Sequence, residues 1–102
     1  MKDLKSLYIK TPLIEETSPV LSGKKLYYKM EAFQPCGSFK LRGMECACRD
    51  ALEKGAHSLL SSSDGNAELA VAYVGRQWNV PMTVVLPETT PESVSDELRR
   101  MG

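Results

Sequence analysis

A chain of 102 residues has room for one small domain and not for two. With 42% hydrophobic and 25% charged residues, 7 Gly and 6 Pro, it is neither disordered, collagen-like nor of low complexity, and it should bury a core. Lys plus Arg (13) cancels Asp plus Glu (13), so no summed field draws in phosphate backbones or anionic lipids; a small molecule is the expected partner, not nucleic acid or membrane. Of the three cysteines, Cys46 and Cys48 stand too close to bridge easily. The start MKDLKSLYIK is charged throughout, and no uncharged run approaches the ~18 residues of a membrane span, so a cytoplasmic location is expected.

Along the chain, 7–14 contains Thr11-Pro12 and reads as a short edge strand or extended arm, because a residue before proline is pushed towards extended geometry. Turn formers collect over 18–24, and 26–31 alternates in β-formers as a strand. After the loop 34–37, Leu41, Met44, Cys48 and Leu52 recur at steps of three and four, which predicts a helix over 38–54 with Ser38 as its N-cap and Gly55 as its left-handed stop. A short strand is expected at 59–61 and a small-residue helix at 67–78. The apolar run 82–86 is expected as a parallel strand covered on both faces. Thr90-Pro91-Glu92 then opens a third helix, with Thr90 as cap and Pro91 as first helical residue. The alternation predicts an α/β fold with a parallel sheet and crossover helices, whose strand-to-helix turns share the C-terminal edge where ligands bind.

Two such turns carry the chemistry. In QPCGSFKLRG (34–43), Lys40 lies near a helix start, where the positive helix end favours its neutral, nucleophilic amine; on spacing alone a solvated surface lysine explains it as well. In SSSDGNAELA (61–70), hydroxyls and free backbone N–H groups at a helix start suit a carboxylate or phosphate, although Asp64 as N-cap and Glu68 in the first turn are also ordinary capping residues. His57 has no Cys, His or Asp at ligand spacing, and Cys46 and Cys48 diverge on their helix, so no metal site is expected. Tyr73 and Trp78 read as packing residues. Cys36 is a loop thiol just upstream of Lys40.

These two motifs, the segment AVAYVGRQWNVPMTVVLPETTP and the opening Thr11-Pro12-Leu13 together resemble the N-terminal third of fold-type-II pyridoxal phosphate enzymes, most of all the serine dehydratase and threonine deaminase group. The resemblance runs from about residue 8 to the end of the chain. The apolar Leu41 after the lysine favours the dehydratases over threonine synthases, which usually show an acid there, and over the Val-Lys-Asp-Arg pattern of cysteine synthases. It implies pyridoxal 5′-phosphate as cofactor, held covalently by Lys40, with Phe39 packed on its ring and Asn66 hydrogen-bonded to the ring hydroxyl. It also implies that Ser63, Asp64, Gly65 and Asn66 receive the substrate carboxylate, and that L-serine or L-threonine is converted to pyruvate or 2-oxobutyrate and ammonia. Residues 1–37 would be the strand and arm of the large domain and 38–102 the start of the small α/β domain of a homodimer.

Some residues depart from that pattern. Asp64 stands where dehydratases usually carry Ala or Gly, and Glu68 where they carry a small residue. The family's glycine-rich phosphate loop would follow the last residue of the chain. A fragment is therefore expected, with the strand over 26–30 and part of the first helix left uncovered. Two alternatives stand beside the dehydratase: an inactive, truncated paralogue serving as an interaction module, and a serine racemase, since Gly37-Ser38-Phe39-Lys40 suits that branch as well.

Overall fold

The computed structural model describes residues 4–18, 23–62 and 65–101. The expected turn over 18–24 lies largely outside them. Strands β1 (Leu13–Glu15) and β2 (Tyr27–Lys29) pair antiparallel, Ile14 opposite Tyr28, and a single 3-10 turn at Glu31–Phe33 follows. Helix α1 (Lys40–Glu53) leads to β3 (Leu59–Ser62), helix α2 (Asn66–Trp78), β4 (Met82–Val85) and helix α3 (Glu92–Arg100). Strands β3 and β4 pair in parallel, Leu59 opposite Met82 and Ser62 opposite Val85. The α/β alternation is therefore present, but the sheet is not one parallel sheet: β2, which precedes α1, belongs to the antiparallel pair.

Three local expectations shift, each for a physical reason. Helix α1 begins at Lys40, and Ser38 Oγ accepts the Lys40 N–H at 3.3 Å from just outside the helix, because Phe39 already holds helical angles at the boundary. Pro91, at φ −56° and ψ 139°, is the extended boundary residue of α3, so Thr90 is not its cap and its Oγ1 is buried without a hydrogen-bond partner among the described residues. Along β4, Thr83 and Val85 are exposed while Met82 and Val84 are half-buried; a strand covered on one face only shows the period of two that its apolar run conceals. The same alternation in β3 leaves Leu60 71% exposed. The stop at Gly55 is as expected, with φ +99° and the Ala56 N–H reaching back to Ala51 O.

Leu41, Cys48, Val74 and Trp78 form the core between α1 and α2, and Leu4, Leu7, Leu52, Leu59, Tyr73 and Met82 pack around it. Gly75 lets α2 lie directly on β4: a Cβ there would stand 2.3 Å from Met82 Cγ. The strand over 26–30 is uncovered as expected, every residue of β2 being exposed, Tyr27 by 47%, and its partner β1 is exposed too, Leu13 by 63%. The first helix, by contrast, is covered along its apolar face. With the pendant antiparallel pair, the Cα radius of gyration is 16.6 Å, against the ~13 Å of a compact chain of this length.

The N-terminal arm is held by a buried carboxylate. Glu45, 3% exposed on the apolar face of α1, accepts the Leu7 N–H at 3.0 Å and the Tyr8 N–H at 3.2 Å and pairs with Arg49 at 3.2 Å. Arg49 also reaches Leu4 O and lies 4.9 Å from the Trp78 ring centroid, while Trp78 Nε1 donates to Lys5 O at 3.0 Å. Hydrophobic patterning alone would favour Glu45→Leu. The structure predicts the opposite: two backbone donors and a guanidinium lose their acceptor, and urea denaturation should show a loss of about 1–3 kcal/mol.

Candidate functional site

The loop before Lys40 is built to hold one shape. Gly37 takes φ +88°, a left-handed conformation that L side chains rarely adopt, and its N–H donates to Gln34 O at 2.8 Å. The buried Gln34 forms a two-way bridge to the arm: its Oε1 accepts the Ile9 N–H and its Nε2 donates to Ile9 O, each at 2.9 Å. Glu31 completes this clasp, accepting from the Thr11 hydroxyl and from Arg42 Nε, while Arg42 Nη2 reaches Ile9 O at 3.2 Å. Arg42 sits two residues beyond Lys40, so the arm, the loop and the first turn of α1 are tied at one place. Its hydrogen bond, and then that of Thr11, lowers the Glu31 carboxyl from 4.5 to about 2, against the opposing effect of burial.

Lys40 opens α1 with an exposed side chain, its Nζ 5.5 Å from the centroid of the half-exposed Phe39 ring. Its ammonium forms no ion pair with a described residue. The thiol of Cys36 lies 3.8 Å from Ser38 O and packs towards the core.

At the second turn, β3 ends at Ser62 and α2 begins at Asn66 with Gly65 as an extended boundary residue, φ −168°, and no side-chain cap. Asn66 is exposed and Gly65 half-buried; Ser63 and Asp64 lie outside the described residues. Glu68 departs from the ordinary capping role: it is fully buried, Oε1 accepts from the Ser61 hydroxyl at 2.8 Å, and Oε2 has no hydrogen-bond partner among the described residues.

Lys40 and Phe39 thus open one helix and Gly65 and Asn66 the other. Because β2 is outside the β3–β4 pair, the shared edge of a parallel sheet is not what relates the two turns; the packing of α1 along α2 through Leu41, Cys48, Val74 and Trp78 does so instead. Sequence reasoning missed Glu45, Gln34 and the Glu31–Arg42 clasp. Glu45 was traceable, since an acid four residues after Leu41 and three before Cys48 falls on the apolar face. The clasp carries no periodic signal. His57 is exposed, and no cluster of three His, Cys, Asp or Glu among the described residues could hold a metal ion. No helix among them is long and apolar enough to cross a membrane.

One helix start carries the exposed Lys40 and the other the exposed Asn66, within an α/β chain. Residues 4–102 match the family model of the pyridoxal-phosphate dependent enzymes, and the chain belongs to that family. It is 39% identical over 98 residues to the L-serine dehydratase/L-threonine deaminase of Mus musculus, covering 95% of this chain and 30% of that protein. The crystal structure of a fungal L-serine ammonia-lyase from Rhizomucor miehei superposes with a TM-score of 0.80 at 34% identity, over 96% of this chain and 32% of that one. The structure of maize serine racemase gives 0.82 at 31% identity, over 93% and 30%. The chain therefore spans about a third of the length of these relatives. Pyridoxal 5′-phosphate is the cofactor of the family, and the donor set fits its aldehyde and ring: a primary amine without a carboxylate partner, an exposed phenyl ring beside it, and an exposed amide at a helix start.

The clasp predicts an acid-sensitive contribution to stability. Because the folded Glu31 carboxyl titrates below its ordinary value, its stabilisation is present above about 4.5 and is lost as pH falls towards about 2. Urea midpoints should therefore differ between the native chain and Glu31→Gln at neutral pH and converge across that interval; a difference independent of pH would reject the clasp.

Proposed function

We propose that this chain is the lysine-bearing segment of a pyridoxal phosphate-dependent L-serine/L-threonine dehydratase, which yields pyruvate or 2-oxobutyrate and ammonia. The observation that carries the reading is the unpaired Lys40 amine at the first residue of α1, on a loop held rigid by Gln34, Gly37 and the Glu31–Arg42 clasp, in a chain 39% identical to a dehydratase. Lys40 Nζ would hold the cofactor, with Phe39 against its ring and Asn66 on the ring hydroxyl. When bound, the cofactor supplies an electron sink for charge that develops at the substrate Cα. Lys40 Nζ, released from its covalent role, takes the Cα proton as general base, and Ser63, the backbone of Asp64 and Gly65, and Asn66 receive the α-carboxylate at the positive end of α2. The net reaction balances without an oxidant: the Cα–H and Cβ–O bonds break, the water lost is regained on hydrolysis, and the amino group leaves as ammonia.

In this reading residues 1–37 serve the large domain and 38–102 the small one, and the working enzyme is a cytoplasmic homodimer; the three free thiols support a reducing compartment. Serine racemisation is the second reading, supported by the likeness to the maize racemase.

A chimera tests both. With this chain replacing the matching 30% of the mouse relative, L-serine should yield 2-oxo acid and ammonia in equal amounts. Lys40→Ala should remove that activity by roughly three orders of magnitude. A chimera that binds the cofactor but returns D-serine without 2-oxo acid would transfer the assignment to the racemase reading.

A further inference from the structure

Gln34 is 3% exposed and uses every hydrogen-bonding group it has. Its side chain meets both main-chain groups of a residue 25 positions away, Oε1 accepting the Ile9 N–H and Nε2 donating to Ile9 O. Its main chain donates to Glu31 O at 3.1 Å and accepts from Gly37 at 2.8 Å, in the left-handed turn that leads to Lys40. The Ile9 side chain is itself 44% exposed, so the arm is read here through its backbone. Donor and acceptor of one residue are both matched, and a slide of the arm by one position would bring other groups to the amide; the contact therefore holds a single register. Lys40 Nζ forms no ion pair with a described residue, so the placing of its amine comes from the backbone beneath it.

We infer that Gln34 is a positioning residue for Lys40, which reads the main chain of the N-terminal arm at Ile9 and passes that position to the loop presenting the amine. The inference rests on the dehydratase reading for the role of Lys40. It makes the arm, remote from the lysine in sequence, part of what sets the rate. Its scale follows from the cost of misplacing a reacting group by about 1 Å, which reaches on the order of a hundredfold in rate. Such a loss falls on kcat, because the substrate is still bound while the lysine is displaced.

The test sets Gln34→Met, which keeps the length of the side chain and removes both bonds to Ile9, against Leu52→Val, which loosens packing at the far end of α1 and touches neither bond. Glu45 still holds the arm at Leu7 and Tyr8 in both variants. On the chain labelled with ¹⁵N, the hydrogen-bonded amides of Gly37, Lys40 and Arg42 should exchange about tenfold or more faster in Gln34→Met, and within about twofold of native in Leu52→Val. In the chimera with the mouse relative, Gln34→Met should lower kcat about ten- to a hundredfold with KM for L-serine changed by less than about twofold, and Leu52→Val should leave both within about twofold. Ile9→Pro removes one of the two bonds from the side of the arm and should act in the same direction; it carries the comparison if Gln34→Met does not fold. Native exchange or native kcat in these variants, equal changes in Leu52→Val, or a loss confined to KM would overturn the inference. A chimera without a cofactor absorbance band that Lys40→Ala removes defeats the dehydratase reading alone, and the exchange comparison then decides the role of Gln34 by itself.

Discussion

The arrangement depends first on where the carboxylate of Glu45 goes. An acid on the buried face of α1 is tolerable only if donors surround it, and here they come from the backbone of the arm, at Leu7 and Tyr8, and from Arg49. Those bonds fix the arm along α1, Arg49 lies over Trp78 of α2, and the indole returns a hydrogen bond to Lys5. Arm, α1 and α2 are thus joined by one polar set at the edge of the apolar core. The clasp of Thr11, Glu31, Gln34 and Arg42 extends the attachment to the loop before Lys40, so that lysine stands on backbone fixed from both sides.

Against this tied half, the sheets are open. Strands β3 and β4 present Leu59, Ser61, Met82 and Val84 to the helices and leave Leu60, Ser62, Thr83 and Val85 exposed, while the antiparallel pair is exposed throughout. The close approach of α2 to β4 at Gly75 shows that the covered face is packed to native tightness. Half a layered α/β architecture, well packed on one side and bare on the other, agrees with a chain that spans about a third of the length of its relatives.

Acids at helix starts divide by burial. An exposed carboxylate in a first turn, such as Glu92 of α3, interacts weakly with the helix end because solvent screens it. Glu68, in the first turn of α2, is instead fully buried and accepts its hydrogen bond from Ser61 of β3. The same residue type within a first helical turn is thus solvated in α3 and buried in α2.

Local and periodic features were legible in the chain itself. The spacing of Leu41, Cys48 and Leu52, the stop at Gly55 and the β-formers around Tyr27 and Val84 reflect interactions within a few residues, and helices and strands arose within about two residues of where those signals lie. The two turns and their family resemblance were legible too, because chemistry at a helix start needs particular residues at a fixed spacing. What the sequence could not determine was pairing and burial. Whether β2 joined β3 and β4, whether Glu68 faced water or protein, and which backbone groups satisfied Glu45 and Glu31 depend on contacts between residues 7 to 38 positions apart, and no local pattern encodes which distant donor reaches a carboxylate first.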